Sequence, residues 1–176
     1  MTEAELVDGE GGWREPGGEG WWVLNAKDAR WQSNEMGWYC GFETKAAPFR
    51  EFALNLNFLG DGQPMAMYHH EPHQEGFLVL RGEALLIVEG EEHPLRQWDY
   101  VHCPPDVPHV IVGRGDGALV LAVGSRTGGG GASYPVDEAA MRHGAGVESE
   151  TSSPREAYER FGPLVSSPYP GGLLEE

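Results

Sequence analysis

Cysteine and positive charge are both scarce in this sequence. Cys40 and Cys103 are the only thiols in 176 residues, too few for a disulfide framework in a domain of this size, and both are expected to be free. Against 28 aspartates and glutamates stand 12 lysines and arginines, a formal net charge of -16. Such a surface repels polyphosphate and anionic lipid, which argues against nucleic acid and membrane as partners. Long apolar runs are missing too: Ala118 to Val123 is among the longest and falls far short of a bilayer span. The acidic opening, Met1 to Glu10, lacks the basic and then apolar pattern of a secretory signal. A soluble, cytoplasmic protein is expected.

Glycine and proline are plentiful, at 26 and 13 residues, and they punctuate short apolar segments instead of forming a tract. Short β-like segments recur at Trp21–Leu24, Gly37–Glu43, Phe52–Leu59, Met65–His70, Gly76–Leu80, Ala84–Glu89, Tyr100–Cys103, His109–Val112 and Ala118–Val123. Their regular spacing predicts an all-β sandwich or barrel. Two hairpins are expected, one turning at Gly90-Glu91 and one through Gly113 to Gly117. The length suits one domain. Its expected layout is a flexible segment over 1–20, mobile unless docked, then a barrel over 21–126, and a tail over 127–176. That tail starts with the glycine run Gly128 to Gly131 and ends in a loosely held Pro168 to Glu176. It holds two candidate helices, Val136–His143 and Pro154–Phe161, the second with Ser153 as N-cap, Pro154 at the first helical position and Glu156 placed to close a capping box.

The chemistry concentrates in Tyr68-His69-His70-Glu71-Pro72-His73-Gln74-Glu75 and, later, in Tyr100-Val101-His102-Cys103-Pro104-Pro105-Asp106-Val107-Pro108-His109. On a strand, residues two apart share a face, so His69 and Glu71 can both point inward while His70 points out. If the next strand pairs beside them, Glu75 joins the site, and His109 reaches it from a later strand. Two imidazoles and two carboxylates would then hold a divalent ion with positions left open for water or substrate. Two other registers stay open: His70 with Tyr68 as its partner, or His73 swinging in from the turn. The bland alternatives are a solvated histidine turn and an edge carboxylate at Glu75. His102 is expected to face outward and Cys103 to be a small core residue. The tryptophans Trp21, Trp22, Trp31, Trp38 and Trp98 are expected to be packing, Arg81 and Arg96 surface ion-pair partners, and Tyr68 and Tyr100 weak hydrogen-bonding candidates near the site.

From about Gly60 to Gly113 these residues resemble the cupin superfamily, whose motifs are written G-x5-H-x-H-x3,4-E-x6-G and G-x5-P-x-G-x2-H-x3-N. His69, Glu75 and Gly82 fit the first motif, with Glu71 in place of its second histidine; Pro104 and His109 fit the second. Gly62 stands one residue early, Trp98 and Asp106 replace glycines, and Gly113 replaces the asparagine. The small single-domain bacterial cupins are the nearest in character. The resemblance implies a jelly-roll β-barrel with a short, partly helical C-terminal tail, a metal held by His69, Glu71, Glu75 and His109, and a homodimer. Glu71 hardens the donor set toward manganese or iron, with zinc and nickel still able to bind. The implied function is metal-dependent action on a small organic molecule, of oxygenase, isomerase or decarboxylase type. The competing expectation is a non-catalytic ligand-binding or structural module whose metal is structural or absent.

Overall fold

The computed structural model describes residues 2–127 and 129–175. Among the described residues ten strands and two short helices follow one another: β1 Leu6–Asp8, β2 Arg14–Pro16, β3 Trp31–Asn34, β4 Gly37–Gly41, β5 Phe52–Leu59, β6 Glu75–Val88, β7 Glu91–Arg96, β8 Tyr100–Cys103, β9 His109–Ser125, α1 Glu138–Arg142, α2 Pro154–Ala157 and β10 Val165–Ser167. β1 and β2 form a separate ribbon, and the other strands form one antiparallel sheet in the order β10-β3-β4-β5-β9-β6-β7, with β8 added beside β6. Curled on itself, this sheet is an all-β jelly-roll barrel.

Two long strands make the barrel turn. β6 and β9 pair along almost their whole length, but the register slips between Val79 and Arg81 and again between Gly82 and Glu83. A β-bulge of this kind bends the strand and inverts which side chains face inward. Phe77 and Val79 line the core before the bulge, and Ala84 and Leu86 line it after. β9 makes the same change of parity, from Ile111 to Ala118, Val120 and Ala122, through Gly115 and Gly117 at φ of 58° and 95°. These segments were expected as separate short strands, with a hairpin at Gly113 to Gly117. Each pair is instead one bent strand, because glycine at the bulge lets the ladder continue around the corner. The other hairpin forms one residue earlier than expected: Val88 pairs with Glu91, and Glu89 and Gly90, both at positive φ, make the turn.

Three further packing layers surround the barrel. Trp31, Cys40, Leu56 and Leu119 form a buried cluster with Leu173 from the tail. In a second layer α1 lays Ala139 and Ala140 over Leu85, Ile87, Val110 and Val112. Met67, Tyr134 and Ala157 form the third. The side chain of Asp137 caps α1, accepting from the Ala140 N–H at 2.8 Å. Asp137→Ala is expected to lower stability by about 1 kcal/mol, read as a drop of roughly 2–4 °C in the thermal midpoint.

Several expectations need correction. Trp21–Leu24 is not a strand; Trp21 makes a single bridge to Glu3. Met65–His70 runs alongside β9 with isolated bridges only. The opening segment is docked: Trp13 is buried, and Arg14 N–H donates to Asp28 O at 2.6 Å. α2 is shorter than expected, and Glu156 does not close a capping box, because its carboxylate accepts from Thr151 Oγ1 at 2.5 Å instead. The end of the tail is anchored by buried Leu173 and by Glu175, which accepts from Tyr169 at 2.5 Å and Lys27 at 2.9 Å. Gly128, which opens the expected glycine break, lies outside the described residues. No helix among the described residues is long and apolar enough to cross a membrane.

Candidate metal centre

His69 and His109 are cross-strand partners. The His69 N–H donates to the His109 carbonyl at 3.2 Å, and the His109 N–H donates to the His69 carbonyl at 2.9 Å. Residues paired in this way project to the same side of a sheet, and the two imidazole centroids lie 5.4 Å apart. Each ring is held by its own chain. His69 Nδ1 is 2.7 Å from the Met67 carbonyl, and His109 Nδ1 is 2.9 Å from the Val107 carbonyl. A carbonyl only accepts, so each Nδ1 carries the proton and each Nε2 keeps its lone pair.

Two carboxylates face those bare nitrogens. Glu71 Oε1 is 4.0 Å from His69 Nε2, and Glu75 Oε2 is 3.4 Å from His109 Nε2. Glu75 Oε2 is buried with no hydrogen-bond partner. Burial, with the Glu71 charge beside it, pushes the Glu75 carboxyl up to about 7. Burial likewise pushes His109 down to about 4, aided by neighbouring His69, and lowers His69. Near neutral pH all the pressure is toward uncharged groups, as expected where charges leave water without a counter-ion. The four residues stand as two pairs: among the described residues no three metal-ligating side chains are already gathered around one point. Their chemistry nonetheless fits a divalent ion, which would give the orphaned oxygen a partner and take the Nε2 lone pairs.

Other candidates are placed elsewhere. Tyr68 is buried under α1, which removes the register pairing it with His70. His70 Nδ1 lies 3.6 Å from Asp106 Oδ1. His73 shares a cavity of about 460 Å³ with Glu71 and Glu75. His102 is exposed. Cys103 is buried in the barrel core, and burial, with Glu75 nearby, raises its thiol to about 11, so it is no nucleophile at neutral pH. Arg81 lies 5.7 Å from the Phe58 ring centroid. Among the tryptophans, Trp31 is core, whereas Trp21 and Trp98 are exposed, and Trp38 lines a second cavity.

Four polar residues near the site went unnoticed in the sequence. Asn55 and Asn57 project from β5 and are joined by an Asn57 Nδ2 to Asn55 Oδ1 bond of 2.6 Å. Their signal was the alternation Leu54-Asn55-Leu56-Asn57-Phe58, which puts both amides on one face. Tyr134 and Tyr158 come from the tail: the Tyr134 ring is 5.9 Å from His69 and 5.8 Å from Tyr158. Burial raises both hydroxyls above their ordinary range. No local pattern announces tail residues over a barrel mouth.

The strands form an antiparallel jelly roll, and residues 59–124 match the family described as Cupin domain. The chain thus contains a cupin-superfamily domain. It is similar to an RmlC-like cupin from Shewanella frigidimarina, at 17% identity and a TM-score of 0.51 over 58% of this chain and 88% of that one. It is also similar to the polyketide cyclase RemF from Streptomyces resistomycificus, at 14% identity and a TM-score of 0.51 over 58% and 78%. A putative sugar phosphate isomerase from Acidithiobacillus ferrooxidans aligns at 24% identity and a TM-score of 0.45, over 52% of this chain and only 61% of its own length. No curated protein matches the chain. At these identities the likeness is one of fold.

Proposed function

We propose that His69, Glu71, Glu75 and His109 hold one divalent transition-metal ion and that the chain acts through it on a small organic molecule. The observation that carries this reading is the pair of imidazoles, each locked by its Nδ1–H, with the bare His109 Nε2 3.4 Å from a buried Glu75 oxygen that has no hydrogen-bond partner and the bare His69 Nε2 4.0 Å from Glu71. A bound ion would supply Lewis-acid or oxygen-activating chemistry. The protein's part is to fix the imidazole tautomers, to give the ion two negative ligands and to keep neighbouring hydroxyls and the Cys103 thiol protonated. Manganese or iron suits two carboxylates with two imidazoles best; zinc and nickel are competitors by affinity. The reaction is of oxygenase, isomerase or decarboxylase type.

Metal uptake tests the proposal. After anaerobic dialysis against manganese or iron(II), elemental analysis is expected to find one ion per chain in the wild type and almost none in His109→Ala. Wild-type protein that leaves dialysis without metal sinks the reading. A non-catalytic ligand-binding module is the second reading. It is favoured by the upward shifts of Cys103, Tyr134 and Tyr158 beside the site, which keep all three protonated near neutrality and unsuited to act as bases there. If the ion is mainly structural, its removal lowers the melting temperature sharply; if catalytic, it abolishes turnover and leaves most of the fold.

We also propose a homodimer. Phe52, Val123 and Tyr100 are exposed on neighbouring strands of one outer sheet face, an apolar surface suited to a second copy. Light scattering that gives the mass of a single chain at micromolar concentration would remove this proposal.

A further inference from the structure

The barrel holds a second cavity, of about 320 Å³, between β4, β5 and the tail segment that follows α2. We infer that it is the substrate pocket of the proposed metal centre, and that it takes a small, neutral, largely apolar molecule able to hydrogen-bond. The assignment rests on the metal reading above.

None of the residues lining this cavity carries a charged side chain; Met36, Leu59, Met65, Phe161 and Leu164 give it an apolar wall. An ionised ligand group buried there would find no counter-ion, and burial of an unpaired charge is costly. The arginine of the covering segment is turned to other work: the Arg160 guanidinium donates to the Gly144 carbonyl and lies 4.9 Å from the ring centroid of Phe161. Polarity enters the wall at Asn57 and at Tyr39 and Tyr158, whose hydroxyls burial shifts upward. Asn57 and His109 are the only buried polar residues among those described, and Asn57 is in the wall. One Asn57 N–H is spent on Asn55, which leaves the rest of the carboxamide to meet a ligand.

No residue lines both the pocket and the cavity of Glu71 and Glu75, but bonded and stacked neighbours connect the two. Asn55, bonded to Asn57, lines the cavity onto which Glu71 and Glu75 open. Tyr158 lines the apolar cavity, and its hydroxyl oxygen accepts from the Met67 N–H at 3.2 Å. Its ring packs against Tyr134, which in turn packs against His69. The covering segment is fixed in place: Gly162 N–H donates to Glu35 Oε2 at 3.0 Å, and Asn34 Nδ2 donates to the Gly162 carbonyl at 3.0 Å. The tail segment thereby forms a fixed wall of the cavity.

Coumarin, neutral with a carbonyl acceptor, and the anion o-coumarate, the trans isomer of its ring-opened form, are the probes. Binding to manganese-loaded and zinc-loaded full-length protein is followed by NMR, where manganese speeds relaxation of protons held near it. Coumarin is expected to bind at least about tenfold more tightly than o-coumarate, a difference of ~1.4 kcal/mol, and to relax faster on the manganese protein. Leu164→Trp, which fills the pocket from a half-exposed position, is expected to abolish both effects with metal content unchanged. Protein that takes up no manganese overturns the metal reading, and this assignment with it, before any probe is added. Protein that takes up manganese but prefers o-coumarate, binds coumarin without added relaxation, or is indifferent to Leu164→Trp overturns the assignment alone.

Discussion

Glu75→Gln is expected to stabilise the metal-free protein and to abolish its stabilisation by metal. Without an ion, burial and Glu71 hold the Glu75 carboxyl at about 7. A folded-state value above the unfolded one means the native state binds the extra proton between the ordinary carboxylate range and pH 7. Its stabilising effect is complete at acid pH and is lost as pH rises through 7. At pH 8 the ionised side chain costs up to roughly 3 kcal/mol, and a neutral amide of the same shape avoids it. His109, depressed to about 4, has the opposite slope over pH 4 to 6.5 and masks the Glu75 effect in the wild type. The difference between variant and wild type removes that mask. Denaturant titrations in chelator should show this difference growing from near zero at about pH 4.5 to its full value above pH 7. Added manganese should reverse the order, raising the wild type by mass action and leaving the variant unmoved. A variant no more stable than the wild type at pH 8 would mean that Glu75 is not confined as described.

Gly82→Ala is expected to be the most damaging small substitution in the barrel. Gly82 has φ of 77°, and a Cβ placed there would lie 1.9 Å from the Gly117 carbonyl oxygen. The left-handed conformation alone costs an alanine about 1–2 kcal/mol. The clash is with backbone of the facing strand at the bulge, so relief requires β6 and β9 to separate where the barrel turns. A total above about 4 kcal/mol is expected, seen as a melting point lower by roughly 8–16 °C or as insoluble protein. Gly62→Ala is the control: its φ is 74°, but nothing lies within 4 Å of the added methyl, so it should show the conformational cost only. Equal losses at the two positions would show that close approach at the bulge does not matter.

The two motif positions at which glycine is replaced make the same point about backbone. Trp98 and Asp106 have φ of 75° and 63°, in the left-handed region that favours glycine. The chain departs from the motif in residue type at positions with a glycine-like backbone. Trp98 is exposed, so no neighbouring contact forces a smaller side chain, and Asp106 Oδ1 lies 3.6 Å from His70 Nδ1.

Local alternation supplied the proposed donor set. His69, Glu71, Glu75 and His109 could be chosen because period-two geometry and fixed spacing act over a few residues, and such order survives in a linear string. The all-β class was legible for the same reason, since turn residues interrupt apolar runs at short intervals. Strand continuity was not: Gly82 and Gly113 to Gly117 look like turns in sequence, and only pairing between β6 and β9 makes them corners of unbroken strands. Which histidine faces which was likewise settled by ladder bonds between residues distant in the chain. The neutral cavity, the tyrosines beside His69 and the burial that shifts Glu75 depend on segments folding together from across the chain, the tail over β4 and β5 among them. Desolvation belongs to the assembled interior, so no single segment of the sequence carries it.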